Sequence, residues 1–255
     1  MLEHIQCIVL RTVKYGDNAL IVDTFTESHG RMSFVTKISH TRRSHTASAF
    51  WQPLSILEFN ADIRPTIKLP TPTGVRFLYS YQSLPYNPSK ACIAMFIAEF
   101  LCAALRGEGV NKPLFQYIEI SLRWLDMAEE SRSHGIANFH LVFLMRTTRF
   151  LGIYPNLEKM ESFEQKISQQ PKPYWFDLIA GEYSEHQPVH SSCLRPDEAA
   201  LMPLLFRMDY STMHVFRFNR QQRQRCLEVL IEYYRIHVPQ FPELKSLDVL
   251  AEIFN

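Results

Sequence analysis

The sequence predicts an α+β protein with a small β-barrel over residues 1–80 and a larger helical domain over residues 81–255. Two observations carry this prediction. Short apolar segments separated by turn residues fill the first eighty positions and show no helical period. After Pro88 the apolar residues instead recur every three or four positions, as on one face of a helix. With only 8 Gly and 15 Pro in 255 residues, we expect no long flexible linker.

Five segments of the first domain have the pattern of strands. They read IQCIVLRTVKYG, ALIVDTFTE, RMSFVTKI, PLSILEFNADI and GVRFLYSYQSL, with turn residues at YGDN, SHG and LPTPTG. The third segment alternates cleanly, with Met32, Phe34, Thr36 and Ile38 on one face and Arg31, Ser33, Val35 and Lys37 on the other. Five short strands with turns between them are typical of a small barrel.

The rest of the chain is expected to be helical, apart from one insertion. Apolar periodicity predicts helices over 90–106, 113–128, 136–151, 196–206, 219–234 and 247–254. Ser89 and Ser246 are the expected N-caps of the first and last helices. Residues 155–190 are interrupted by prolines and contain a candidate hairpin at YWFDLIAGEYSE.

Composition limits the class of protein. The chain is 46% hydrophobic and 21% charged, which is ordinary for a soluble globular protein. No apolar run approaches the ~18 residues of a membrane span, and the N-terminus shows no secretory signal. The five cysteines are odd in number and form no C-x-x-C pair, so we expect reduced thiols in a cytoplasmic protein.

Positive charge is concentrated in the first domain, although the whole chain has 27 basic and 26 acidic residues. Residues 1–80 hold nine Lys or Arg against six acids, a net charge of +3. Four of the nine, Arg31, Lys37, Arg42 and Arg43, lie in a stretch from Gly30 to Leu54 that contains no acid. Such a strip suits a polyanion backbone. Charge alone predicts equally well that these side chains only solubilise a loop.

A second basic cluster lies in RFNRQQRQR and consists of Arg217, Arg220, Arg223 and Arg225. It is either a solvated helix start or a site for an anionic partner, and the first interpretation is favoured. Trp51, next to the basic loop, is either a base-stacking residue or part of the core or of a domain interface, and we favour the core or interface.

Signals for catalysis are weak. The sequence has no glycine-rich nucleotide loop, no H-E-x-x-H motif and no nucleophile elbow. The spacing of His186, His190 and Cys193 can serve a metal ion, but a fourth ligand would have to come from elsewhere. A metal-dependent hydrolase therefore ranks last among the hypotheses, and no catalytic residue is assigned.

Several motifs in order resemble the RecO family of bacterial recombination mediators. They are IVLRTVKYGDNALIVDTFTESHGRMSFVTK, then RRS, then FWQPLSILEF in the first domain. The helical part agrees with FLGIYPNL, which resembles the family's Leu-Gly-Tyr-x-Pro helix end, and with LKSLDVL near the C-terminus. The resemblance covers most of the chain and is most specific in its first eighty residues.

The resemblance implies a function without catalysis. The barrel would be an OB-fold that binds single- and double-stranded DNA, and the protein would anneal complementary strands for DNA repair and recombination. With RecR it would help load RecA onto strands coated by single-strand-binding protein, whose acidic tail it would contact. It would need no cofactor and would lie with the bacterial nucleoid. The implied phosphate contacts are Arg31, Lys37, Arg42 and Arg43, with Arg11 and Arg76 as further candidates. The alternative is a non-catalytic adaptor with little DNA binding.

Two departures from the family pattern change these expectations. Many members carry a four-cysteine zinc site after the Leu-Gly-Tyr-x-Pro segment, but GIYPNLEKMESFEQK contains no cysteine. We therefore predict a hairpin without metal at 155–190. The family's Arg-Phe-Glu-Leu is here NFHL, from Asn138 to Leu141, which removes a basic contact. Arg146 and Arg149, later on the same helix, are the candidates for binding the acidic partner tail.

Overall fold

The computed structural model describes residues 1–37, 49–129, 133–156 and 174–253. The chain forms two compact units, the first made of Met1–Ala128 with Glu243–Ile253 and the second of Glu129–Pro242. The boundary predicted after residue 80 lies between the last strand of the sheet and the first long helix, and both of these belong to the first compact unit. That residues 1–80 and 81–255 are separate domains stays a prediction.

The five predicted strands are confirmed and form one antiparallel sheet. The strands are β1 (Leu2–Tyr15), β2 (Ala19–Thr26), β3 (Gly30–Lys37), β4 (Ile56–Asp62) and β5 (Thr73–Tyr79). Their order across the sheet is β3-β2-β1-β4-β5. Each strand is joined to its neighbour in the sheet by antiparallel backbone hydrogen bonds.

One face of the sheet curves around an apolar core. The core holds Ile5, Cys7, Val9, Leu20, Val22, Phe34, Trp51, Leu57, Phe59 and Ala61. Phe34 of β3 and Phe59 of β4 are not on neighbouring strands, yet their ring centroids lie 4.9 Å apart in an edge-to-face contact. Because β2 and β1 lie between β3 and β4, this contact shows that the sheet is strongly curved. Trp51 is buried in the same core, which confirms the core interpretation of this residue.

The sheet does not close into the expected barrel. Among the described residues, β3 and β5 are the two edges and no ladder joins them. The edge donors of β3 bind loop carbonyls instead, since the Val35 N–H donates to Pro70 O at 3.0 Å and the Arg31 N–H to Glu108 O at 3.2 Å. An edge strand whose polar groups are satisfied by loops needs no strand partner.

Three helices belong to the first unit: α1 (Pro88–Ala104), α2 (Lys112–Met127) and α8 (Ser246–Ile253). The prediction that Ser89 caps α1 is wrong. Pro88 begins the helix, because its fixed φ suits the first turn and its missing N–H is not needed there. The cap is therefore Asn87, whose side chain accepts from the Lys90 N–H at 3.1 Å.

The second unit contains short helices and a small sheet. Its helices are α3 (Ser133–Ile136), α4 (Phe139–Phe150), α5 (Pro196–Ala199), α6 (Met202–Arg207) and α7 (Arg220–His237). The helix expected over 196–206 is thus two helices, because Pro203 lacks the N–H that a continuous helix requires. The expected hairpin is present as β6 (Trp175–Asp177) and β7 (Glu182–Ser184), and β8 (Cys193–Leu194) adds a third strand.

Candidate nucleic-acid interface

The structure gives the two basic residues of β3 different surroundings, although both lie on one face of the strand. Arg31 is held against α1, where its Nη1 donates to Cys102 O at 2.8 Å and its Nη2 lies 3.6 Å from Asp23 Oδ2. Its side chain is only 18% exposed. Lys37, at the other end of β3, is exposed and has no ion-pair partner within the described part of the chain.

Close backbone packing keeps Arg31 in place. The preceding residue, Gly30, has φ +68°, and a Cβ there would lie 2.3 Å from the carbonyl carbon of Gly109. Only glycine satisfies both conditions, so the HG turn of the sequence sets the approach of the β2–β3 hairpin to the 107–110 loop.

Asp23 neutralises part of the positive charge of Arg11 and Arg31. It accepts from Arg11 Nε at 2.6 Å and from Ser33 Oγ at 2.6 Å, beside the Arg31 guanidinium. Burial alone would raise the pKa of this carboxyl, but the hydrogen bonds from Ser33 and Arg11 outweigh it and hold the pKa below its usual value. The Arg11 side chain is nevertheless largely exposed, so its outer edge faces solvent.

Arg76 is likewise paired. Its Nε lies 2.6 Å from Glu58 Oε1, and His4 Nε2 lies 3.3 Å from the other oxygen of that carboxylate. Arg76 is highly exposed, so a stronger anion can compete for it. Arg42 and Arg43 lie outside the described residues.

The strand register reveals a surface that the sequence prediction missed. On the sheet face opposite the core, cross-strand rows run Tyr15–Ala19–Lys37, Val13–Ile21–Val35 and Arg11–Asp23–Ser33. Tyr15 is 58% exposed and Val13 is 48% exposed, while Asp23 is buried. We call Val13, Tyr15, Ile21, Val35 and Lys37 the open face. The sequence alone could not reveal it, because Tyr15 shares its parity with the core residues Ile5, Cys7 and Val9. A register shift between Val9 and Arg11 turns the end of β1 so that Arg11, Val13 and Tyr15 lie on the opposite face.

The open face has three features that suit a strand of nucleic acid. It combines an exposed aromatic ring, an apolar floor and a cation that no described acid neutralises. Small β-domains that bind single strands use these same elements, since bases stack on aromatic rings and phosphates lie on cations.

In the second unit, the two arginines predicted for the partner tail have local contacts. Arg149 lies 4.3 Å from the centroid of the Tyr154 ring and donates to its hydroxyl at 2.7 Å, but it remains exposed. Arg146 donates to Met208 O at a longer 3.3 Å.

The second basic cluster is divided by its contacts. Arg223 donates to Asn138 Oδ1 at 3.1 Å and to Phe218 O at 3.0 Å, and burial lowers its pKa. Arg225 lies 2.6 Å from Glu198 Oε1. These two arginines therefore stabilise the unit. Arg217 and Arg220 are exposed at the start of α7.

Asn138 is the most instructive of the departures from the family pattern. Its side chain accepts from Arg223 and donates to Met213 O at 3.1 Å and to Phe216 O at 2.8 Å. The residue is fully buried, so it joins the start of α4 to the loop before α7 instead of facing a ligand.

The histidines and cysteine of the hairpin region do not assemble a metal centre in the described residues. His190 Nε2 lies 3.1 Å from Asp177 Oδ2, and Cys193 Sγ lies 3.6 Å from the His190 carbonyl oxygen. His186 bonds through its backbone to Ser184. The described helices also include none that is long and apolar enough to cross a membrane.

Comparison with known proteins defines the class to which this architecture belongs. Residues 1–81 match the family model described as Recombination protein O N terminal, and residues 85–248 match Recombination protein O C terminal. These matches define the class as a family of DNA repair and recombination proteins.

The chain belongs to the RecO family. It is 45% identical over 255 residues to the DNA repair protein RecO of Phocaeicola vulgatus, with 100% of both chains covered. It is 43% identical over 256 residues to the DNA repair protein RecO of Bacteroides fragilis, again with 100% of both chains covered. The corresponding protein of Christiangramia forsetii is 32% identical over 256 residues, with the same complete coverage.

Proposed function

We propose that this protein binds single- and double-stranded DNA through residues 1–80 and anneals complementary strands. With RecR, it would help load RecA onto strands coated by single-strand-binding protein. The observation that carries the proposal is the open face, where Lys37 and Tyr15 are exposed, in a RecO-family chain. In the sequence, Lys37 directly precedes the basic segment 38–48. A protein working on chromosomal DNA would lie with the nucleoid in the cytoplasm.

The physical basis is charge neutralisation. Each phosphate that a Lys or Arg neutralises releases condensed counterions, and this release drives binding without any catalytic group. Two strands held on one basic surface also repel each other less, so complementary bases meet more often. No cofactor takes part in this scheme, and catalytic residues are not required.

The contacts of each arginine refine the proposed binding set. Lys37, Arg42 and Arg43 are the principal phosphate ligands, while Arg11 and Arg76 would contribute by exchanging a carboxylate for a phosphate. Arg31 would act mainly by fixing β3 against α1, because its guanidinium is already bound.

Contact with the acidic tail of single-strand-binding protein is proposed for the second unit. Arg149, Arg217 and Arg220 are the exposed cations there among the predicted residues. Arg146 is half-buried and Arg223 and Arg225 are engaged internally, so they are weaker candidates.

A second candidate function is a protein adaptor with little DNA binding. It is favoured by one observation, that Arg11, Arg31 and Arg76 each lie within 3.6 Å of a carboxylate of the same chain. If residues 38–48 contribute no phosphate contact, the remaining charge on the sheet is small.

The test is a titration of single-stranded DNA at several salt concentrations. We expect the wild type to show a steep negative slope of log affinity against log salt. Arg42→Glu with Arg43→Glu should lower affinity and reduce the steepness by about 1.4, or about 0.7 per lost phosphate contact. The matched control is Arg195→Glu with Arg235→Glu, which changes the net charge equally at two exposed positions of the second unit.

Two results would contradict the proposal. A wild type without salt-dependent binding would support the adaptor, and equal losses in the two double variants would show a general charge effect. Strand annealing with bare and protein-coated strands then tests the finer claim, since a mediator must anneal both.

A further inference from the structure

We propose that Tyr15 stacks on an unpaired base and thereby gives the open face its preference for single-stranded over duplex DNA. The inference rests on the proposed function and deepens it, because it assigns discrimination to one ring rather than to the basic residues. It is drawn from the strand register and from the exposure of Tyr15, neither of which depends on charge.

The row Tyr15–Ala19–Lys37 has the geometry of a shallow trough. Directly paired residues of an antiparallel sheet point to the same side, so all three side chains lie on the open face. Neighbouring strands are about 4.8 Å apart, which places the Cα atoms of Tyr15 and Lys37 roughly 10 Å from each other. The small side chain of Ala19 leaves the space between them low.

The ring of Tyr15 is available to a ligand. Its side chain is 58% exposed, and among the described residues it meets no other aromatic ring and no hydrogen-bond partner for its hydroxyl. By contrast, Phe25 lies farther along the same face and is fully buried near Phe115. The helices therefore cover one end of this face and leave the Tyr15 end open.

The charges around the trough complement a single strand. Lys37 is exposed in the same row, while Asp17 of the turn is the nearest acid in sequence. A base lying on Tyr15 can thus keep its phosphate near an ammonium group. Duplex bases already stack on one another and cannot offer a face to the ring, whereas both kinds of DNA offer phosphates to lysine.

The experiment compares two probes, an oligothymidylate and a blunt duplex of mixed sequence, with the full-length chain. We expect Tyr15→Ala to lower affinity for the oligothymidylate about 5- to 150-fold, the effect of losing one base–aromatic stack. Duplex affinity should change less than about twofold, and the salt slope should not change because no phosphate contact is lost. Tyr15→Phe should bind like the wild type.

Three further variants separate stacking from other causes. Tyr86→Ala removes another exposed tyrosine, 81% exposed and off the sheet, and should have no effect. Tyr15→Leu keeps an apolar side chain of similar size, so it should lose affinity as Tyr15→Ala does even if the alanine variant is unstable. Lys37→Ala should weaken both probes and reduce the steepness of the salt slope by about 0.7 to 0.9.

Failure of this inference is distinct from failure of the proposed function. If the wild type binds both probes with a steep salt slope but Tyr15→Leu binds like the wild type, or loses equally on both probes, the stacking assignment is wrong. If the wild type binds neither probe, DNA binding itself is wrong and the assignment falls with it.

Discussion

Replacing Asp126 with alanine tests the buried polar cluster that joins the sheet to the helices of the first unit. Asp126 lies at the end of α2 and is 3% exposed. Its carboxylate accepts from the backbone N–H groups of Gln82, Ser83 and Leu84 at 2.7 to 3.1 Å, and from the Tyr79 hydroxyl at 2.9 Å. It therefore fixes the segment that leads from β5 into α1.

The expected cost follows from the donors left without an acceptor. Three backbone N–H groups lose their partner. The N–H of Leu84 is buried, and leaving such a group unsatisfied costs about 1–3 kcal/mol, whereas Ser83 is half-buried and Gln82 is exposed to water. The buried ammonium of Lys90, which donates to the Asp126 carbonyl at 2.8 Å, also loses the nearby negative charge. With partial relaxation we expect Asp126→Ala to lower the free energy of unfolding by about 3–5 kcal/mol.

The assay measures the unfolding of the wild type and of Asp126→Ala, by calorimetry and by denaturant titration. For a chain of this size, each kcal/mol lowers Tm by about 2–4 °C, so the expected shift is about 6–20 °C. The matched control is Asp209→Ala, which removes a carboxylate that accepts from Ser211 N at 2.7 Å and Thr212 N at 2.8 Å. That loop is half-exposed, so water replaces the lost acceptor and the cost should stay near about 1 kcal/mol.

The difference between the two variants is the critical result. If Asp126→Ala costs no more than Asp209→Ala, burial of the Leu84 N–H and of the Lys90 ammonium does not set the cost, and the cluster does not hold the β5–α1 segment. If both variants lose about 3–5 kcal/mol of the free energy of unfolding, water does not replace the acceptor lost in Asp209→Ala, and the role assigned to water is wrong.

Two further predictions concern contacts between distant parts of the chain. Glu99→Gln should lower the free energy of unfolding by about 1 kcal/mol, because the carboxylate accepts from Lys245 N and Ser246 N at the start of α8. Burial alone would raise the pKa of Glu99, but the hydrogen bonds from Ser246 and Lys245 lower it below the usual value. Its stabilisation is therefore complete above the unfolded-state pKa and is lost as the pH falls through the folded-state pKa, so the wild type and the variant should converge in acid-unfolding curves. Asn138→Ala should cost about 2–4 kcal/mol in denaturant unfolding, since it leaves Arg223 Nε and two carbonyls without partners. Asn138→Asp keeps the acceptor for Arg223 but loses the two donors to Met213 O and Phe216 O, so it should also lower the free energy of unfolding. An Asn138→Asp variant as stable as the wild type would contradict this account.

The sequence predicted the strands well because alternation is a local property. A strand with apolar residues at every second position has one face to bury, whatever the rest of the chain does. The parity of β3 is therefore enough to place Arg31 and Lys37 on one face. The N-cap of α1 was missed because Ser89 and Asn87 are both good caps and Pro88 decides between them.

Closure of the barrel was not a local property. Whether β3 pairs with another strand depends on what else reaches its edge, and here Pro70 O and Glu108 O reach it. Both carbonyls belong to residues far along the chain from β3, so no pattern within the strand could reveal them. Alternating apolar residues predict that a strand exists, but not which backbone satisfies its outer donors.

The amino-acid sequence alone was enough to establish the family, the order of strands and helices, and the excess of positive charge in the first eighty residues. Which of those charges are available became clear only from the folded chain. Arg31 is bound by Asp23 and by Cys102 O, whereas Lys37 faces solvent beside Tyr15. This difference arises because α1, much further along the chain, covers one end of the sheet and leaves the other end open.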